Sequence, residues 1–160
     1  MGDRARMLSE RFERASHELI QTAERCSEGQ WRVATAAEGW PVGVVARHVA
    51  EGYKAIARLI LLAATGQPLP PLSMEALDQR NADHARQHAD CTKAEILELL
   101  RQNAAEVAAT VRGLSGDQLD RTAPWRTGPL KVQEMIDRIL IGHVQTHLGS
   151  IRDTLGAGQP

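Results

Sequence analysis

Aromatic residues are scarce: one phenylalanine, one tyrosine and three tryptophans among 160 residues. Cysteines are scarcer still. Cys26 and Cys91 cannot build a disulfide scaffold at this density, and neither stands at metal-ligand spacing from the other. That usage predicts a reducing, cytoplasmic setting. Charge of one sign is missing as well: 19 Lys+Arg against 20 Asp+Glu leave a net charge of −1. Without a basic block, nucleic acid is not an expected partner. Long apolar runs are also absent. The best, "AIARLILLAAT", contains Arg58 and falls short of the ~20 residues needed to span a bilayer. The opening "MGDRARMLSERFERA" is too charged for a secretory signal. A membrane is therefore not expected either, which leaves a small molecule as the expected partner and a homodimer as the candidate assembly.

What remains favours helix. Ala, Leu, Glu, Arg and Gln are abundant and β-branched runs are short. The length predicts one domain over residues 1–156, followed by a flexible tail at 157–160. A first helix is expected from Asp3 to Ser27, where Leu8, Phe12, Ala15, Leu19 and Ala23 recur at helical spacing before Gly29. A loop with two tryptophans follows. A second helix starts at Pro41, a residue suited to a first turn, and runs to Ala64 before Gly66 and three prolines. Thr92 and Glu95 form a capping-box signature that opens a third long helix, ending near Leu114. The fourth spans Leu130 to Leu155. Residues 73–90 read as an additional, more polar helix.

Four long helices predict an all-α bundle. The connection over residues 65–92 is far longer than the roughly 2–8 residues that join antiparallel neighbours. It should cross over, leaving the second and third helices pointing the same way. The predicted order is up-down-down-up, with the second and fourth helices antiparallel.

Histidines carry the chemical signal. In "IGHVQTHLGSI", His143 and His147 lie four apart, one helical turn, within an apolar run. An imidazole buried without a partner costs about 1–3 kcal/mol, so something must satisfy both rings. Nitrogens at this spacing can converge on one ion at about 2.0–2.1 Å. A catalytic zinc takes three protein ligands and keeps a position open. His48, on the face of the second helix shared with Val44, Val45 and Leu59, is the candidate third ligand. Gly52, one turn on, leaves room beside it, and antiparallel helices bring the three to one depth. A second pair, His84 and His88, sits among Asn81, Asp83, Arg86 and Asp90 and reads as mostly solvated.

"GWPVGVVARHVAEGY" followed much later by "HVQTHLGSI" resembles the DinB-like superfamily of small helical metalloproteins. The likeness covers nearly the whole chain, including the Trp31 loop and Asp78 to Asn81. It implies a four-helix bundle of the crossover topology and places the family's histidine triad on His48, His143 and His147. Zinc is the usual ion it implies, with nickel or iron as alternatives. It also implies a low-molecular-weight thiol, since relatives use mycothiol, bacillithiol or glutathione-like cofactors. The segment around His48 is most similar to the metal-binding domain of mycothiol-dependent maleylpyruvate isomerase. Two departures speak against that isomerisation: the sequence ends at Pro160, without room for that enzyme's second domain, and His143 stands where the resemblance implies a carboxylate.

The function expected is metal-dependent transfer of such a thiol to an electrophilic small molecule, within apolar walls formed by Val44, Val45, Leu59, Ile136, Ile139 and Leu140. A non-catalytic DinB-like metal-binding or stress-response module is the alternative, because no acid or base stands near the triad in sequence. Arg47 is expected at the surface, Trp40 as a packing anchor, Trp31 and Trp125 folded onto the core, and Tyr53 turned away from His48. Asp78 and Asn81 are candidates to reach the site from the crossover. Neither cysteine is placed to act as a nucleophile.

Overall fold

In the computed structural model, residues 2–71 and 73–157 are described. Eight α-helical segments follow in order: α1 (Asp3–Arg25), α2 (Glu28–Trp31), α3 (Val42–Ala64), α4 (Met74–Gln87), α5 (Lys93–Arg112), α6 (Gly116–Asp120), α7 (Val132–Glu134) and α8 (Gly142–Ala157). A π-helical stretch, Met135–Ile141, joins α7 to α8. The tail expected over residues 157–160 lies, beyond Ala157, outside the described residues.

Polar contacts between helices give the direction of each pair. Ser9 Oγ, early in α1, donates to the Ala108 carbonyl late in α5 (2.9 Å), and Lys93 Nζ, at the start of α5, donates to the Cys26 carbonyl just past α1 (2.7 Å), so α1 and α5 are antiparallel. Asn103 donates to the Ala50 carbonyl (2.8 Å), and Lys54 pairs with Glu106 (2.9 Å), so α3 and α5 run together. Arg11–Asp137 (2.5 Å) and Arg152–Glu18 (3.3 Å) align α1 with the last helix. The fold is the up-down-down-up bundle. Exposed ion pairs of this kind contribute only about 0–1 kcal/mol each. Stability comes instead from the core they surround, where Phe12, Leu19, Tyr53, Ile60, Leu100 and Leu140 are inaccessible to solvent.

Helix boundaries follow local chemistry. Thr92 and Glu95 form the expected capping box at the start of α5. Pro41 is the N-cap residue of α3. Four features depart from expectation. The first helix stops at Arg25, because Ser27 and Gln30 cap a separate short helix inside what reads as a loop. A further box, Ser115 with Gln118, opens α6. Leu130 and Lys131, expected to be helical, pair antiparallel with Ala123 and Thr122. The last long helix is not uniform, because Met135–Ile141 is wound as a π-helix. Such wide turns offset the faces presented before and after them, and they recur beside functional sites.

Gly43 has a specific packing role. A Cβ there would stand 2.3 Å from Trp31 Nε1. Trp31 is buried against this bare backbone and donates to the Cys91 carbonyl (3.3 Å). It thereby ties α2 to the end of the crossover. Both cysteines are free thiols.

Candidate metal centre

His48 projects from α3, and His143 and His147 project from consecutive turns of α8. The ring centroids are 5.1 Å (His48–His143), 5.0 Å (His48–His147) and 4.6 Å (His143–His147) apart. Each residue offers a ligand nitrogen within 4.8 Å of the other two. Two observations show that the space between them suits an ion. His143 Nε2 is buried and has no hydrogen-bond partner. A Cβ at Gly52 would lie 2.6 Å from that same nitrogen, so the glycine is what admits the ring.

Burial depresses the basicity of His48 and His143. His48 is pushed down to about 4, chiefly by desolvation and then by the neighbouring His147 and His84. Desolvation, followed by His147 and His48, pushes His143 down to about 3. At neutral pH both therefore present lone pairs, the form a metal requires.

Glu38 completes the cluster, and no sequence pattern marked it. It sits in the loop before α3, where Thr35 Oγ1 donates to its Oε2 (2.7 Å). Ser150 Oγ donates to the same oxygen (2.5 Å), while Oε1 lies 2.8 Å from His147 Nδ1. Burial alone would raise the Glu38 pKa; hydrogen bonds from Ser150, Thr35 and His147 outweigh it, and the net shift is downward. An ionised carboxylate can only accept, so Nδ1 of His147 carries the proton and Nε2 keeps the lone pair.

A cavity of about 1070 Å³ opens over the triad. Trp40 forms part of its wall and meets the edge of His48 at 5.5 Å between centroids, so it is more than a packing anchor. Trp125, Asp78 and Asn81 also line it. Of the apolar walls expected from sequence, Leu59 and Ile139 are present, whereas Val44, Val45, Ile136 and Leu140 are fully buried. Those four point to the interior of the bundle rather than to the crossover side. Tyr53 lies away from the triad, its ring edge on Phe12 at 5.0 Å. Arg47 is not simply a surface residue: its side chain is 24% exposed and it holds Glu51 at 3.0 Å.

His84 and His88 are not solvated as their polar neighbours suggest. The His84 side chain is only 13% exposed, and its ring lies 5.8 Å from that of His48. The polar residues of α4 surround a pair turned toward α3. Periodicity could not show this, because no apolar stripe marks the inner face of α4.

Residues 11–151 match the DinB superfamily. The chain belongs to it. No curated protein matches the sequence. Among solved structures, YfiT from Bacillus subtilis, described as "a probable metal-dependent hydrolase with an unusual four-helix bundle topology", superimposes with a TM-score of 0.77 at 16% identity. That match covers 98% of this chain and 89% of YfiT. The mycothiol-dependent maleylpyruvate isomerase superimposes with a TM-score of 0.70 at 19% identity, over 90% of this chain. This DinB-superfamily chain spans 60% of the isomerase's length. At these identities the likeness is one of fold. No helix among the described residues is long and apolar enough to cross a membrane.

Proposed function

We propose that the chain is a metal-dependent enzyme that transfers a low-molecular-weight thiol to an electrophilic small molecule, with His48, His143 and His147 as the ligands of a divalent ion, zinc first among the candidates. The observation that carries this reading is the unpartnered Nε2 of His143, aimed with two other imidazole donors at the floor of a large cavity. Three neutral nitrogens leave an ion's charge uncompensated. A bound ion of this kind supplies Lewis acidity and lowers the pKa of a thiol that reaches it from about 8.5.

The protein's own residues do the rest. Glu38 fixes the tautomer and tilt of His147, while Thr35 and Ser150 fix Glu38. Leu59, Ile139 and Trp40 keep water from the reacting end of the cavity and accept apolar surface of the electrophile. Arg58, Arg80 and Arg126 line the same cavity, and none is in an ion pair among the described residues. They supply positive charge for anionic substituents of a thiol or its acceptor. Neither cysteine lines the cavity, in keeping with a nucleophile brought in from outside the chain.

Cobalt substitution tests the reading. Sulfur ligation gives an intense near-ultraviolet charge-transfer band, expected on adding mycothiol, bacillithiol or glutathione to the cobalt-loaded protein. If all three, at saturating concentration, leave the spectrum unchanged, thiol transfer is wrong. A metal-binding module without catalysis then becomes the better reading.

A further inference from the structure

We propose that Glu51, His84 and His88 form a second divalent-metal site, separate from the triad, which fastens the crossover helix α4 to α3. The three offer ligand atoms that all lie within 4.8 Å of one another. His84, in the last turn of α4, and His88, the residue that caps its C-terminus, are four apart with ring centroids 4.7 Å apart, and Glu51 faces them from α3. Two imidazoles and a carboxylate are an established donor set for zinc, with a further position left to water.

The state of His84 points to a ligand rather than to a simple polar contact. Its Nε2 stands 2.7 Å from Glu51 Oε2 at angles poor for a hydrogen bond, and its Nδ1 is buried without any partner. Leaving such groups unsatisfied costs about 1–3 kcal/mol. An ion between the imidazoles and the carboxylate removes that cost. Arg47 already orients the carboxylate by holding Oε1 at 3.0 Å, which leaves Oε2 toward His84.

The position of α4 gives the site a purpose. This helix contributes Leu77, Arg80 and Asn81 to the cavity wall, but none of its residues is buried. Apolar packing therefore holds it weakly. His84 and His88 stand just beyond the wall-forming residues, outside the cavity lining. An ion joining them to Glu51 would pin the wall of the cavity to the rigid bundle without occupying the cavity.

Zinc counting tests this directly. Chelator-stripped full-length protein is dialysed to equilibrium against zinc and analysed for metal. About two ions per chain are expected for the unaltered protein, and about one for each of His84→Ala/His88→Ala and His143→Ala/His147→Ala. Should the first double variant lose its helical signal, Glu51→Gln must lower the count by itself. Hydrogen exchange provides a second reading: at zinc 100 times its Kd, opening of α4 should slow by about 100-fold, an effect absent from His84→Ala/His88→Ala. Two ions retained in that variant, or a single wild-type ion that it keeps, overturns the second site. A single ion lost there but kept in His143→Ala/His147→Ala upholds the second site and removes the triad reading instead.

Discussion

Glu38 Oε1 lies 2.8 Å from His147 Nδ1, joining a loop to a helix 109 residues later. The contact leaves Nε2 of His147 as the ligand atom and holds the ring in place. Carboxylate partners of this kind are worth about 10–100-fold in metal affinity. Glu38→Gln keeps the shape but loses the charge, and Glu38→Asp keeps the charge on a shorter arm. Zinc affinity measured by calorimetry is expected to fall about 10–100-fold in Glu38→Gln, with partial recovery in Glu38→Asp. Equal affinities in all three proteins would remove Glu38 from the centre.

Gly52→Ala separates the needs of the helix from those of the site. Within a helix, alanine is favoured over glycine by up to about 1 kcal/mol. The new Cβ would nevertheless lie 2.6 Å from His143 Nε2, and the ring must move. Metal-free protein should keep a melting temperature within a few degrees of wild type, while zinc affinity falls at least about tenfold, roughly the effect of 1.4 kcal/mol. Unchanged affinity would show that His143 is not a ligand.

Acid should destabilise metal-free protein in a defined window. His48 and His143 stay neutral in the folded chain down to about 4 and about 3, whereas they protonate below about 6.5 once unfolded. Below 6.5 the unfolded chain binds more protons, so stability falls as pH falls. The contribution is complete above 6.5 and is lost progressively down through about 4 and then about 3. Urea midpoints measured across this range should decline more gently in His143→Gln, which cannot titrate. Parallel declines would contradict the assignment.

Asn103→Ala tests a structural contact away from the centre. The residue is 5% exposed and its side chain donates to the Ala50 carbonyl, joining α5 to α3. Losing it should cost about 1–2 kcal/mol, since the carbonyl keeps its helical partner. That corresponds to a Tm lower by roughly 2–8 °C for a chain of this size. Zinc content should not change, and a loss of metal would mean that α5 also shapes the site.

The sequence by itself determined the long helices and their order. Caps such as Thr92 with Glu95 act within one turn, and the spacing of Phe12, Ala15 and Leu19 fixes a face without any partner. The long crossover then restricted the directions, and His143 and His147 met because four residues make one turn. Other features needed the packed chain. Glu38 reaches His147 only because the α2–α3 loop folds beneath α8, a contact between distant segments that no local pattern encodes. His84 and His88 look solvated among polar neighbours, yet α4 lies with that pair turned toward α3. The π-helical turn over Met135–Ile141 and the full burial of Ile136 and Leu140 were likewise settled by packing. Periodicity follows from interactions along one helix, but the cavity wall forms between helices, where side-chain shape and the filling of space decide.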